Sequence, residues 1–196
     1  MHSKLSIKLS VFSLIFSAIF FSATASMAET PKEAETSKIR LLLPGASAPV
    51  NSLKDINGID HMFPASNKWN LVFYWSLFCH SCIEEMPEIQ QKLQELRSKD
   101  FETYFVALDT DKMQKALQNF VKRRKFASTV LMECVENEKY VTADTWGVTM
   151  TPSVFIIDPT GKIIYSHEGP FDVDIFFKNL PSDLAEPATD ASGDKK

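Results

Sequence analysis

A pair of cysteines two residues apart marks the junction between two contrasting segments of this chain. Residues 71–75, ahead of the pair, form a short apolar run rich in aromatic side chains, which predicts a buried strand. Behind the pair, apolar residues recur at helical spacing, at Ile83, Met86, Ile89, Leu93 and Leu96. Cys79 and Cys82 are therefore predicted to lie where a strand passes into a helix.

This position has chemical consequences for the two thiols. The first turn of a helix leaves backbone N–H groups unpaired and carries a partial positive charge. A helix N-terminus and Cys-X-X-Cys spacing lower a thiol pKa from ~8.5 to roughly 3.5–7.5, so we expect Cys79 to be the nucleophilic thiolate. Cys82, one turn further on, is placed to attack a mixed disulfide at Cys79 and release the reduced client. Two cysteines thus suffice for a complete exchange cycle.

Composition restricts the classes of function. The chain has 196 residues, 44% of them hydrophobic, which is compatible with one domain around a single core. Its formal net charge of −4 gives no indication of a nucleic-acid partner. The basic run at residues 122–125 is predicted to be the solvated C-terminal end of a helix, where cations offset the dipole.

The first 28 residues have the pattern of a secretory signal. Lys4 and Lys8 precede an apolar core at residues 9–21, and small residues lead to a cleavage site predicted after Ala28, with Ala25 second. An uncleaved membrane anchor is the alternative. Residues 29–38 are predicted to be a linker, 39–180 the folded domain and 181–196 a disordered tail. Export to an oxidising compartment favours redox exchange over metal binding for the cysteine pair.

The remaining elements predict an α/β domain. Strand, helix and strand in succession imply a parallel pair joined by a crossover. The predicted elements are a β-hairpin at 50–63 turning at Asn57-Gly58, a strand at 103–108, a helix at 113–121, a short strand at 129–132, helical turns at 140–146 stopped by Gly147, a strand at 153–157 returning through 158–161 to 162–165, and a helix at 173–180.

Four motifs in the same order resemble a known family. They are Pro44-Gly45 with Ala48-Pro49, Trp75-X-X-X-Cys79-X-X-Cys82, Glu85 with Pro87, and Trp146-Gly147-Val148 leading to Thr151-Pro152. Across residues 44–180 the chain resembles the thioredoxin fold, in the extracytoplasmic branch of TlpA, ResA and cytochrome c maturation thioredoxins. The resemblance implies a thioredoxin-like fold with a central mixed β-sheet flanked by helices and an N-terminal β-hairpin extension.

The resemblance also implies roles for particular residues. Pro152 is expected to be cis and to lie against the cysteine pair, with the backbone of Thr151 binding the client. Glu85 is expected to be a buried or half-buried carboxylate that takes a proton from Cys82, although Glu84 and Glu85 are also residues that a helix dipole favours in a first turn. Trp75, Phe78 and His80 complete the client site that the resemblance implies, although the residues themselves favour a core position for Trp75.

The chain departs from the family pattern at three places. Phe73 replaces the buried Asp of thioredoxins, so proton transfer through that position is absent. Phe78 replaces the usual Trp, and the dipeptide between the cysteines, His80-Ser81, lacks Pro. A protonated His80 that stabilises the Cys79 thiolate would favour an oxidant or isomerase, and an exposed loop imidazole is the equal alternative.

The third cysteine and the metal alternatives receive less support. Cys134, between Met132 and Val135, is predicted to be a buried structural thiol, with an intermolecular disulfide or a third redox thiol as alternatives. His61 and His167 have no ligand-like spacing. One Cys-X-X-Cys lacks the second pair of a structural zinc site, and Ile83 excludes the haem attachment pattern. A Cu(I) chaperone using Met86, Met132 and Met150 and a thiol peroxidase are the rival functions.

The sequence therefore predicts an extracytoplasmic thiol-disulfide oxidoreductase that acts on protein thiol and disulfide clients and requires no cofactor. The resemblance adds a membrane-bound redox partner and client disulfides such as those of apocytochrome c. The alternatives are a disulfide oxidant or isomerase on the same fold and the Cu(I)-binding metallochaperone.

Overall fold

A computed structural model of the chain describes residues 40–96 and 101–181. The strands of this part are β1 (Asn51–Lys54), β2 (Asp60–Phe63), β3 (Trp69–Trp75), β4 (Phe101–Ala107), β5 (Thr129–Met132), β6 (Val135–Glu136), β7 (Lys139–Tyr140), β8 (Ser153–Ile157) and β9 (Ile163–Glu168). Its α-helices are α1 (His80–Glu95), α2 (Gln114–Arg124), α3 (Ala143–Trp146) and α4 (Val173–Lys178). The predicted signal, linker and tail from residue 182 lie outside the described residues.

Five strands form a mixed central sheet in the order β5-β4-β3-β8-β9. β3 pairs in parallel with β4 and antiparallel with β8. β4 is parallel to β5, and β8 and β9 form the antiparallel hairpin that closes one edge. The predicted N-terminal hairpin is present as β1 and β2, and a bridge between Asp55 and Leu131 attaches it beside β5. The predicted mixed sheet with its hairpin extension is confirmed.

β3 is buried on both faces, which explains its unbroken apolar sequence. Alternate side chains point to opposite faces of a strand. Leu71, Phe73 and Trp75 join the core under α1, α2 and α4. Val72 and Tyr74 join a second core that includes α3 and the segment around Leu41. The two cores lie on opposite sides of one sheet, so the domain has helices on both faces.

The predicted helices are present with small differences at their ends. α1 continues past Pro87 to Glu95, and the basic run 122–125 forms the exposed C-terminal end of α2, as predicted. α4 ends at Lys178, two residues before the predicted end. Within residues 40–96 and 101–181, none of the helices has the length and apolar content needed to cross a membrane.

The prediction of helical turns over residues 140–146 was wrong in its first half. Tyr140 belongs to β7, and the helix begins only at Ala143. The buried carboxylate of Glu133 decides this boundary, because it accepts hydrogen bonds from the backbone N–H groups of Thr142 and Ala143 at the start of α3. Asn137 and Glu138, both with positive φ, turn the preceding chain into the small β6–β7 hairpin.

The strand predicted at 162–165 is longer than expected and extends as β9 to Glu168. In the β8–β9 register, Glu168 lies opposite Ser153, and His167 lies opposite Val154. The extension therefore brings the end of β9 beside the Thr151-Pro152 segment.

Gly147 ends α3 with φ +71°, as its predicted role as a helix stop requires, and it also lies against the N-terminal segment. A Cβ at Gly147 would overlap the carbonyl group of Arg40, whereas a Cβ at Gly58, with φ +87°, would meet nothing within 4 Å. The space around Gly147, and not only its backbone angle, thus restricts substitution.

Gly147→Ala should therefore destabilise the domain more than Gly58→Ala. Both variants carry the cost of a left-handed residue, about 1–2 kcal/mol. Gly147→Ala must in addition displace the backbone of Arg40, so its total cost should exceed about 3 kcal/mol. Denaturant unfolding of the two variants measures the difference. Equal losses would show that the close contact with Arg40 does not restrict Gly147.

Candidate redox site

Cys79 and Cys82 form a disulfide at the start of α1, with an S–S distance of 2.02 Å. Cys79 is the N-cap residue, and its sulfur accepts a hydrogen bond from the backbone N–H of Cys82 at 3.3 Å. The predicted pairing and its place at a strand-to-helix junction are confirmed. Cys79 is partly exposed, whereas Cys82 has 0% of its surface exposed. Of the two cysteines, Cys79 is therefore the one that solvent reaches.

A buried carboxylate that the sequence analysis did not single out as functional holds the loop before Cys79. Asp109, 4% exposed, accepts hydrogen bonds from the Ser76 hydroxyl at 3.1 Å and from the backbone N–H of Leu77 at 3.0 Å. The Ser76 oxygen in turn accepts from the backbone N–H of Phe78. The signal was available, because Asp109 directly follows a strand predicted to run parallel to β3, and such strand ends meet at one sheet edge.

The residues predicted to contact clients differ in their exposure. Phe78 is 79% exposed, beside Cys79. His80 is also exposed, and its Nε2 lies 3.2 Å from a carboxylate oxygen of Glu84, one helical turn further on. The His80 ring is thus partnered by Glu84 in this structure.

Trp75 has no exposed surface, so the favoured core position is confirmed and the client contact that the resemblance implied is wrong. Its ring packs against Phe120 at 5.6 Å and Phe126 at 6.1 Å between ring centres. Successive side chains of β3 point to opposite faces of the sheet, and both faces are covered. A side chain on either face of this strand therefore cannot reach the surface.

Thr151 and Pro152 precede β8 and are joined by a cis peptide bond, as the resemblance implied. Ser153, the next residue, pairs with Tyr74 of β3, so this segment and the cysteine loop lie at the same end of the sheet. Pro152 is buried and Thr151 is partly exposed. Among the described residues, neither backbone polar group of Thr151 takes part in a hydrogen bond.

Glu85 is half-buried, as the resemblance implied, and lies one turn beyond Cys82 on α1. Burial, followed by the nearby charge of Glu84, raises the pKa of Glu85, while a hydrogen bond from the backbone N–H of Phe171 at 3.1 Å acts in the opposite direction. The Glu85 Oε2 atom is buried without a hydrogen-bond partner among the described residues. Glu85 also lies past the first turn of α1, which holds no acidic residue, so the first-turn alternative does not account for it.

The environment of Cys134 corrects another prediction. Its thiol is partly exposed and lies 3.8 Å from a carboxylate oxygen of Glu136, because the chain leaves β5 here for the exposed β6–β7 hairpin. Burial, together with the charges of Glu136 and Glu133, raises the pKa of the Cys134 thiol. The side chain is therefore not a fully buried structural thiol, and its environment disfavours the thiolate.

The described residues contain no group of three or more His, Cys, Asp or Glu side chains that could hold a metal ion. Met86 and Met132 are buried in the apolar core, whereas Met150 is 55% exposed. His61 lies in β2 of the N-terminal hairpin, where its Nε2 is 3.4 Å from a carboxylate oxygen of Asp55.

Solved structures show which class of fold this is. The structure of StoA from Bacillus subtilis superposes with a TM-score of 0.56 at 19% identity, over 68% of this chain and 97% of that one. A putative thiol:disulfide interchange protein DsbE from Chlorobium tepidum gives a TM-score of 0.57 at 23% identity, over 68% and 90%. The domain has a thioredoxin-like fold, as the resemblance implied.

Sequence comparison identifies the family. The profile of the AhpC/TSA family matches residues 44–166, and the chain belongs to this family. Thiol-disulfide oxidoreductase ResA of Bacillus thuringiensis subsp. konkukian is 30% identical over 96 residues, which are 49% of this chain and 52% of ResA. The chain thus spans about half the length of the first curated relatives it matches. The resemblance to the ResA branch is confirmed.

The raised pKa of Glu85 makes the stability of the protein dependent on pH. A carboxyl group whose pKa is raised on folding binds protons more tightly in the folded state, so folding loses stability as pH rises from the ordinary value of 4.5 through the raised value. Glu85→Gln keeps an oxygen for Phe171 and removes the charge. Its free energy of unfolding, relative to wild type, should increase across that interval and then level off.

Denaturant unfolding of the oxidised protein at several pH values measures this difference. Glu88→Gln, an exposed position on the same helix, is the matched control and should show no comparable trend. A Glu85→Gln difference that stayed constant, or that decreased with pH, would contradict the argument.

Proposed function

We propose that this chain is a thiol-disulfide oxidoreductase that exchanges disulfides with extracytoplasmic protein clients through Cys79 and Cys82. The observation that carries the proposal is the unequal exposure of the two bonded cysteines at a helix N-terminus. It supports attack on the client by Cys79 and resolution by Cys82. The similarity to thiol-disulfide oxidoreductase ResA supports the same class of activity.

The reaction proceeds by two sulfur transfers when the pair starts reduced. The Cys79 thiolate, favoured by the N–H of Cys82 and the helix dipole, attacks a client disulfide and releases one client thiolate. Cys82 then attacks the Cys79 sulfur of the mixed disulfide and releases the second client thiolate. Two electrons pass to the client, and the Cys79–Cys82 bond forms.

Glu85 is the proposed acceptor of the Cys82 proton in the second transfer. Residues three apart on a helix have Cβ atoms ~5–6 Å apart, and Cys82 is otherwise enclosed by apolar side chains. A carboxylate with a raised pKa accepts a proton more readily near neutral pH. Phe73, the β3 residue in the same core as Cys82, has no ionisable group that could accept the proton in place of Glu85.

The proposed client surface consists of Phe78, His80 and Thr151, with Pro152 behind them. Exposed Phe78 offers an apolar contact beside Cys79, and His80 with Glu84 forms a polar edge. The unbonded backbone of Thr151 can pair with an extended client segment as an added strand. Trp75 supports this surface from the core.

Export and redox partners complete the proposal. The basic start and apolar core of residues 1–28 support passage across a membrane, where a membrane-bound donor would return electrons to Cys79 and Cys82. Client disulfides such as those of apocytochrome c are what the family resemblance contributes. The reduction potential assigns the direction: a value near that of thioredoxin, about −270 mV, fits a reductant, and one near that of DsbA, about −120 mV, fits an oxidant.

Single cysteine variants test the assignment of roles. Cys79→Ser should show no turnover above background with a protein disulfide, because the accessible nucleophile is gone. Cys82→Ser should accumulate mixed disulfides with clients, because a bound client sulfur is no longer displaced. Non-reducing electrophoresis and a turnover assay measure the two effects.

Cys134→Ser is the matched control, and it should keep wild-type turnover because Cys134 lies outside the site. Turnover by both Cys79→Ser and Cys82→Ser would show that the two-thiol mechanism is wrong. A large loss in Cys134→Ser would mean that the third thiol takes part.

A further inference from the structure

The Thr149–Thr151 loop next to the cysteine pair is held by a carboxylate from another strand. Oε1 of Glu168, at the end of β9, accepts hydrogen bonds from the backbone N–H of Thr149 at 2.6 Å, the Thr149 hydroxyl at 3.0 Å and the backbone N–H of Met150 at 3.0 Å. The next residue, Gly169, donates its N–H to the carbonyl of Pro152 at 2.8 Å. Two adjacent residues thus hold both sides of Thr151.

These bonds determine which backbone groups of the loop are open to a client. The N–H groups of Thr149 and Met150 are occupied by Glu168, and the carbonyl of Met150 accepts the Ser153 hydroxyl. Thr151 between them has neither backbone group bonded within the described residues. Within residues 149–151, Thr151 is therefore the one residue whose N–H and carbonyl can both pair with an added client strand.

We infer that Glu168 is a positioning residue that sets the register of an extended client segment on Thr151. This inference rests on the proposed exchange activity and adds to it a determinant of client binding. Met150, held by the same carboxylate, presents its 55% exposed side chain beside Thr151. The fitting client is an extended protein segment with an apolar side chain near its cysteine, and not a small disulfide.

A carboxylate suits this task because its charge strengthens each bond. Hydrogen bonds to an ionised acceptor are roughly twice as strong as those between neutral groups, and here three donors converge on one oxygen. Glu168→Gln keeps an acceptor oxygen without the charge, so it should hold the loop less firmly. Glu168→Ala removes the acceptor and releases all three donors.

The β8–β9 hairpin supplies a chemically matched control at its opposite end. Oδ1 of Asp158 accepts hydrogen bonds from the backbone N–H of Thr160, the Thr160 hydroxyl and the backbone N–H of Lys162. Asp158→Ala therefore removes the same kind of contact from the turn that joins the same two strands. The contact removed lies at the end of the hairpin remote from Ser153 and the Thr149–Thr151 loop.

The experiment compares kcat/KM for the reduction of insulin disulfides with kcat/KM for the reduction of oxidised glutathione. Dithiothreitol is the reductant that regenerates the Cys79 and Cys82 thiols in both assays, and the uncatalysed rates are subtracted. Misplacement of a binding group by about 1 Å can cost as much as a hundredfold in rate. Glu168→Ala should lower the insulin-to-glutathione ratio about tenfold or more, chiefly through KM, with Glu168→Gln intermediate. Asp158→Ala should leave the ratio at the wild-type value despite a similar loss of thermal stability.

Three results would overturn the role of Glu168, and a fourth would overturn the proposed function. A ratio unchanged in Glu168→Ala, or lowered equally in Asp158→Ala, would reduce Glu168 to a structural residue and overturn the inference. A parallel fall with both substrates would do the same, because the effect would then not concern the client segment. Failure of the wild type to exchange disulfides with either substrate, tested both by reduction and by oxidation of the reduced substrate, would instead reject the proposed function, so the two failures are distinguishable.

Discussion

The hydrogen-bonded pairing of β3 with β4 and β8 brings the cysteine loop, Asp109 and Pro152 to one end of the sheet. The cysteine loop follows Trp75, and Asp109 comes two residues after Ala107, the β4 partner of Trp75. Pro152 precedes Ser153, which pairs with Tyr74. A slip of one residue in either pairing would turn alternate side chains to the opposite face. The registers that bury Phe73 and Trp75 are therefore the same registers that bring the loops together.

The sequence allowed the elements around this sheet to be predicted because their signals are local. A strand buried on both faces shows as an apolar run, and α1 shows as helical spacing after Cys82. The cysteine pair, Gly147 and the Asp158–Gly161 turn each act on the residues beside them. Resemblance to a family added the cis bond at Pro152 and the half-buried Glu85, which no local pattern shows.

What the sequence did not predict depends on partners distant along the chain. Asp109 binds Leu77, 32 residues earlier, and Glu168 binds Thr149, 19 residues earlier. Such contacts follow only when the strand registers are known. The start of α3 was misplaced for the same reason, since Glu133 caps it from nine residues away. Cys134 was predicted buried from its apolar neighbours, although the hairpin that exposes it was not recognised.

The short segment from Glu168 to Phe171 has a thermodynamic consequence. The carboxylate of Glu168 accepts a hydrogen bond from Met150 in the Thr149–Thr151 loop. Three residues on, the backbone N–H of Phe171 donates to the carboxylate of Glu85. If a client displaces this segment enough to alter the Phe171 bond, it changes the proton affinity of Glu85. Linkage then requires protonation of Glu85 to change client affinity by the same factor. Substrate binding and proton uptake would be coupled through these four consecutive residues.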